Sequence, residues 1–165
     1  MTLKTDKIFP RNGKAGDGGG IIQIVSQTFS TQATSTSTSW SSTGLEATIT
    51  PQSASNKILV ESQIYNSNGN AVNFFRLLRG STFINQPSGT SSSGASYNAH
   101  AFAYYNCDNY QDSTSIKLLD SPATTSATTY KIQCGTTSNT CTINKFVGTS
   151  NYYGVSTITA MEISA

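Results

Sequence analysis

The sequence predicts an all-β fold, an antiparallel β-sandwich or jelly roll of about eight to ten short strands preceded by an extended N-terminal arm. Three observations predict this class. Short alternating or β-branched runs recur between turns rich in Gly, Asn, Ser and Pro, and no helical period interrupts them. Ser and Thr make up roughly three residues in ten, which disfavours helices. At 165 residues, the chain has room for one such domain.

The chain divides into an arm with a glycine-rich hinge, residues 1–20, and a sandwich domain, residues 21–165. The arm mixes basic side chains with a short apolar run and ends in GKAGDGGG. This pattern predicts a tether that becomes ordered on a partner, the alternative being a frayed terminus. The residues assigned to the anchor are Leu3, Lys4, Lys7, Ile8, Phe9 and Arg11.

The predicted strands follow one another from residue 21. IIQIVSQTF (21–29) is uninterrupted and β-branched, and GLEATIT (44–50) places alternate residues on opposite faces. Between them, TSTSTSW (34–40) predicts an exposed or edge strand with Trp40 turned to the core, the alternative being a linker. NSNGN (66–70) is a hairpin signal. The later strands are KILVESQIY, AVNFFRLLRG, GSTFIN, YNAHAFAYYNC, STSIKLLD, TTYKIQC, CTINKF and VSTITAMEIS.

The three cysteines, Cys107, Cys134 and Cys141, are an odd number, so they cannot all pair within one chain. Cys134 and Cys141 flank the turn-like GTTSNT, and a hairpin there would bring them within disulfide reach. A reducing compartment favours free thiols instead, so both states remain open. The spacing lacks a second ligand pair, so zinc is not expected, and no cofactor is predicted.

Charge and hydropathy restrict the partners. Only 11% of the residues are charged and the net charge is +2, so no nucleic-acid partner is expected. The charged residues near the start lack the apolar core of a signal peptide, and no apolar run of about 18 residues occurs. Neither export by the common route nor membrane insertion is therefore expected, although a mature chain without its leader would look the same.

Four blocks of the sequence resemble a β module found at the ends of tailed-phage fibres and virion-associated proteins, especially in phages of cyanobacteria and marine bacteria. The blocks run from GGGIIQIVSQTF to KILVESQI, then RLLRGSTFI, LLDSPATTSATTYKIQ and STITAMEIS, and LKTDKIFPRNG resembles the attachment segment that often precedes the module. The resemblance implies a trimeric virion structural protein, made in the host cytoplasm. The chain lacks a long shaft. A capsid decoration or short head fibre is therefore the next alternative after a tail fibre.

The candidate chemistry is sparse. His100 is the one histidine, and no nucleophile elbow accompanies it, so we expect no catalytic residue. Asp108 and Asp112, with Asn106 and Asn109, form an oxygen-rich loop that is either a turn or a calcium site, and the turn is favoured. Aromatic rings beside amides suit either a host-surface glycan or a subunit interface. The tyrosines assigned to such contacts are Tyr97, Tyr104, Tyr105, Tyr110, Tyr152 and Tyr153.

The predicted function is thus a non-enzymatic virion protein that faces outward as a homotrimer. Residues 1–20 attach it to another virion protein of the tail, baseplate or capsid. A trimer is expected because a sandwich with open edge strands gains from burying them against copies of itself. A lectin-like module for host glycans is the further alternative.

Overall fold

A computed structural model of the protein describes residues 20–89, 98–105, 110–146 and 152–165. It confirms the predicted fold class, because two antiparallel sheets pack face to face and the described residues contain no helix. Accordingly, no helix capable of crossing a membrane occurs in these ranges. The predicted anchor residues, from Leu3 to Arg11, lie outside the described residues.

In the described residues, sheet A contains six strands. They are β1 (Ile21–Phe29), β2 (Ala33–Ser35), β4 (Lys57–Asn68), β8 (Tyr110–Asp120), β10 (Cys141–Ile143) and β11 (Ser156–Ile163). The longest strand, β4, pairs with β8 along one edge, while β11 and β10 share the other edge, and β1 and β2 lie outside them.

Sheet B contains five strands in the described residues. They are β3 (Ser41–Ile49), β5 (Val72–Arg79), β6 (Thr82–Phe83), β7 (Ala101–Tyr104) and β9 (Thr128–Thr136). Their order is β3-β9-β5, with β6 and β7 both on the far edge of β5. Together with β1-β11-β4-β8 of sheet A, the strands β3-β9-β5-β7 give the eight-strand order of a jelly roll.

The core lies between the sheets and follows the period of two that the sequence shows. Along β3 and β11, buried and accessible residues alternate, so each strand gives one face to the core and the other to solvent. Tyr130, Phe75 and Leu77 of sheet B meet the aliphatic face of sheet A. Full burial of a side chain such as Phe75 or Leu77 stabilises the fold by about 2 kcal/mol.

The predicted strand through residues 36–40 is wrong. Only Ala33–Ser35 pairs as a strand, and Ser37 and Ser39 turn away from it. The Ser35 hydroxyl accepts from the Ser37 N–H, and the Ser37 hydroxyl accepts from the Ser39 N–H at 2.9 Å. Serine side chains thereby satisfy the backbone donors that a strand partner would have taken.

The hairpin predicted at NSNGN is also wrong, because the segment carries the chain from sheet A to sheet B. A buried amide cluster replaces the hairpin ladder at this crossing. Asn68 donates to Asn73 Oδ1 at 2.5 Å and to the Thr136 hydroxyl at 2.9 Å, and Asn73 donates to Asn66 Oδ1 at 3.1 Å. Buried amides need partners, so the asparagines that suggest a surface turn instead join the two sheets.

A second tie between the sheets involves Arg79, Asp120 and Tyr130. Arg79 Nη1 lies 2.9 Å from both carboxylate oxygens of Asp120, and the Tyr130 hydroxyl donates to Oδ2 at 2.6 Å. Burial, followed by the hydrogen bond and the charge of Asp120, raises the pKa of Tyr130, so the phenol stays protonated. The tie closes the end of β8 onto sheet B.

Candidate functional surfaces

The tyrosines predicted as contacts do not form one cluster. Tyr104 is 72% exposed on β7, and Tyr152 and Tyr153 are 63% and 64% exposed before β11. Tyr105 is 2% exposed and donates to Asn66 Oδ1 at 2.5 Å, so it is not available to a glycan or a subunit. That corrects its assignment. Tyr97 and the side chain of Tyr110 lie outside the described residues.

The exposed tyrosines Tyr152 and Tyr153 lie close to sheet A. The Phe146 N–H donates to the Tyr152 carbonyl at 3.0 Å, and the rings of Phe146 and Tyr152 meet edge to face at 5.8 Å between centroids. A Cβ atom at Gly154 would overlap the ring of Tyr65, so only glycine lets the chain pass this closely over sheet A. Backbone and ring contacts therefore hold the segment that carries the two tyrosines against sheet A.

The outer face of sheet B carries a layer of aromatic side chains that is separate from the core. The rings of Phe74 and Trp40 meet edge to face with their centroids 4.9 Å apart, and the Trp40 and Phe83 centroids are 6.5 Å apart. The Arg76 guanidinium lies 4.2 Å from the Trp40 ring centre and donates to Gln133 Oε1 at 2.6 and 2.9 Å. Trp40 thus packs outside the sandwich, not in the core between the sheets as predicted.

Exposed aromatics border this layer on β7. Phe102 is 54% exposed, pairs in register with Phe74 and lies on the same face as Tyr104. Tyr104 in turn pairs with Val72. At this edge of sheet B, solvent-exposed aromatic side chains therefore lie next to the buried ring of Phe74.

His100 has a structural role at the edge of the same layer. Its Nδ1 accepts from the Leu77 N–H at 2.9 Å, so Nε2 carries the proton and donates to the Ile84 carbonyl at 3.0 Å. Its ring meets Phe83 edge to face at 4.9 Å. Burial lowers the pKa of His100, and hydrogen bonds to the backbone of Ile84 and Asn85 offset this only in part. Both ring nitrogens are occupied by backbone groups.

Cys134 and Cys141 come together, but not through a hairpin. Cys134 is on β9 of sheet B and Cys141 on β10 of sheet A, opposite Ser41 and Ser35 in register. Those two serine hydroxyls lie 3.1 Å apart. Both cysteines are buried free thiols here, and the hydrogen bond between them, together with burial, raises the pKa of Cys141. The hydrogen-bonded thiols are thus a contact between the two sheets inside the core.

Glu162 is a buried carboxylate near the end of β11 that sequence reasoning missed. Its Oε1 accepts from the Gln52 N–H and from Asn56 Nδ2, each at 2.7 Å, and Oε2 accepts from Gln23 Nε2 at 3.1 Å. Burial would raise the pKa of Glu162, but the hydrogen bonds together lower it. The alternating pattern placed this residue on an inward face, which was the available signal.

The outer face of sheet A carries a feature that no single segment of sequence reveals. Ile24 pairs with Met161, Met161 with Leu59, and Leu59 with Leu119. These four side chains, here called the aliphatic row, cross β1, β11, β4 and β8 in one line. Ile24 and Leu119, at its two ends, are 60% and 47% exposed.

Polar rows lie beside the aliphatic row on the same face. The first consists of Ser26, Thr159, Glu61 and Lys117, and the second of Thr28, Thr157, Gln63 and Ser115. Ser26 and Thr159 are hydrogen bonded at 2.9 Å, and Glu61 forms an ion pair with Lys117. A depression lined by members of both polar rows, among them Glu61, Gln63 and Thr157, lies over this part of the sheet.

Comparisons with known proteins found no matching family model and no matching curated protein.

In the part of the chain that the structure describes, no three His, Cys, Asp or Glu side chains are grouped to hold a metal ion. Of the oxygen-rich loop, Asn106, Asp108 and Asn109 lie outside those residues, and exposed Asp112 accepts from the Ser113 N–H at 2.7 Å. The calcium alternative thus stays a prediction.

Proposed function

We propose that the protein is a non-enzymatic structural protein of a phage virion, an outward-facing homotrimeric module anchored to the particle by residues 1–20. The observation that carries the proposal is the aliphatic row, an apolar line with exposed ends that lies beside rows of polar side chains. Contiguous exposed apolar surface of this kind is typical of a contact between proteins. The resemblance of the four sequence blocks to phage fibre modules supports the virion assignment.

The side chain that a Ser-His-Asp hydrolase would need as its general base is engaged structurally. His100 is the one imidazole of the chain, and backbone groups occupy both of its ring nitrogens. A general base must be free to take a proton from a substrate. This arrangement supports a structural rather than a hydrolytic role.

Attachment to the tail is the first form of the proposal, and capsid decoration is the second. Both use the arm as the anchor and the sandwich as the outward part. Immunogold electron microscopy of intact particles, with antibody raised against residues 21–165, separates them. Gold confined to the tail identifies a fibre, gold spread over the head identifies a decoration protein, and particles without gold contradict the virion assignment.

Glycan binding is a second candidate function, favoured by the exposed rings of Tyr104, Tyr152 and Tyr153. Such rings stack on sugar faces when neighbouring amides bond the hydroxyls. On a glycan array, Tyr152→Ala or Tyr104→Ala is expected to weaken any signal several-fold. Thr125→Ala, an exposed change in the β8–β9 connection, serves as the control and should leave the signal unchanged. An unaltered signal in both tyrosine variants excludes Tyr104 and Tyr152 as the glycan contact.

A further inference from the structure

We infer that the outer face of sheet A is the surface through which copies of this chain associate, with three copies turning the aliphatic row toward a common axis. The inference rests on the homotrimer of the proposed function and assigns its contact surface. The occupant of this face is thus a second copy of the same chain.

The exposed apolar area is the first argument. Ile24 and Leu119 mark the ends of the row, and Ile21 and Ile22, 54% and 42% exposed, extend it along β1 at a bulge. Together these four residues expose roughly 350 Å² of aliphatic surface, which is within the range of the largest functional patches on soluble monomers. Removing that area from water is favourable at about 25 cal/mol per Å².

The polar rows indicate what kind of surface covers the apolar one. A copy of the same face presents the same charges, so a net charge here would oppose self-association. Glu61 and Lys117 form an ion pair within the face, so the polar row next to the aliphatic row carries no net charge, and Lys57 adds a single charge on the other side of the aliphatic row. A partner recognised by charge would instead need a surface of one sign.

The hydroxyls beside the row can pair with polar groups of another copy. Ser26, Thr28, Thr157 and Thr159 are all donors and acceptors, so each can bond to a different hydroxyl or amide that a neighbouring copy presents. The face spans four strands and seven residues of β4 in register with β11, which corresponds to about 19 Å by 23 Å. With its side-chain relief, such a face approaches the several hundred Å² per partner that specific interfaces bury.

The position of the arm agrees with this arrangement. The chain joins sheet A at Gly20, whose carbonyl accepts from the Ser164 N–H at 3.0 Å. Ile24 follows four residues later, so the arm meets the fold about 13 Å from the row. Three copies that turn this face inward therefore bring their three arms to one end of the assembly, where a single symmetric partner can take all of them.

Sedimentation equilibrium of the full chain at micromolar concentration tests the inference. The test variant combines Ile24→Lys and Leu119→Lys, two changes at exposed strand positions, and the matched control is Val155→Lys, whose side chain is 53% exposed outside the row. The wild type and the control are expected at the mass of three copies. The double variant is expected at the mass of one copy, with association weakened at least tenfold.

Far-UV circular dichroism and the unfolding temperature establish that the variants are folded. The milder pair Ile24→Thr and Leu119→Thr replaces the lysine variant if that one does not fold. A double variant that keeps the mass of three copies overturns the assigned surface and leaves the trimer and the virion role standing. A wild-type monomer overturns both the surface and the trimer, while gold on the particle still supports the virion role.

The arm of the same chain is the competing occupant. Its apolar residues Ile8 and Phe9 would have to cover the row in a monomer. Changing both to Ser in the full chain would then expose the row and raise the measured mass. That result would overturn the inference, whereas an unchanged mass of three copies supports it.

Discussion

The pKa of His100 differs between the folded and the unfolded chain, so its protonation links stability to pH. The native structure keeps it neutral, with a pKa below the ordinary value of 6.5, mainly through burial. The unfolded chain has no such environment and takes up its proton near pH 6.5. Stability should therefore be full above pH 6.5 and fall as the pH drops from there through the folded pKa.

Since the chain contains a single histidine, its titration can be followed without ambiguity. Nuclear magnetic resonance of the ring should show the proton on Nε2 and a midpoint below 6.5. Urea unfolding at pH 8 and pH 5 should show lower stability at pH 5, and His100→Gln should abolish the part of the difference that arises near pH 6. A midpoint at or above 6.5 contradicts the bonding described for this ring.

Glu162 acts at a lower pH. Its hydrogen bonds lower the pKa of the carboxyl below 4.5, so its stabilisation is present above the unfolded pKa and is lost as the pH falls through the folded value. Glu162→Gln keeps the shape but weakens charge-assisted bonds from Asn56, Gln52 and Gln23. It should destabilise the protein at pH 7 by about 2 kcal/mol.

The matched control is Glu46→Gln, an exposed carboxylate on β3. Urea unfolding at pH 7 should leave this control within about 0.5 kcal/mol of the wild type. The difference between Glu162→Gln and the wild type should shrink toward pH 3. If Glu162→Gln matched the control at pH 7, the carboxylate would not hold β1 and the β3–β4 connection to β11.

The close packing of the aromatic layer on sheet B can be tested by a substitution at Gly135. A Cβ atom at Gly135 of β9 would overlap the ring of Phe74, which Trp40 covers from outside. Gly135→Ala should therefore cost about 1–3 kcal/mol, because overpacking forces the rings apart. Gly69→Ala, with nothing within 4 Å of its added Cβ, should be nearly neutral. Thermal unfolding compares the two, and equal unfolding temperatures would contradict the close packing.

Strand positions were largely predictable at this scale, because they depend on local alternation. The predicted first strand, residues 21–29, has the same bounds as β1, and β4, β5 and β9 begin within one residue of their predicted starts. The errors occur where a side chain competes with the ladder or where the chain changes sheets. The serines at 35–39 and the asparagines at 66–73 look like strand and hairpin residues locally, and only their tertiary partners determine otherwise.

The candidate surfaces were less predictable, for a related reason. Tyr104 and Tyr105 are neighbours in sequence, yet period-two alternation sends one to solvent and the other into the core. Their opposite roles follow only once the strand is known to begin at Ala101. The aliphatic row depends on the register of three strand pairs, so its four residues are scattered through the sequence and no motif announces them.

In the molecule as a whole, the composition of the chain is reflected in its two exposed sheet faces. Few charges and many hydroxyls give a sandwich whose two outer faces differ, with aliphatic side chains on sheet A and aromatic ones on sheet B. An assembly that buries the first face leaves the edge aromatics of the second, Phe102 and Tyr104, facing outward. We therefore propose that the protein works as an assembly of copies.

The mass of the full chain in solution tests that claim most directly. Light scattering on the eluted wild-type protein at micromolar concentration should give three times the chain mass of 17.5 kDa. The mass should stay constant across a tenfold dilution above the dissociation constant. A mass of 17.5 kDa at every concentration would contradict the account, because the aliphatic row would then remain open to water.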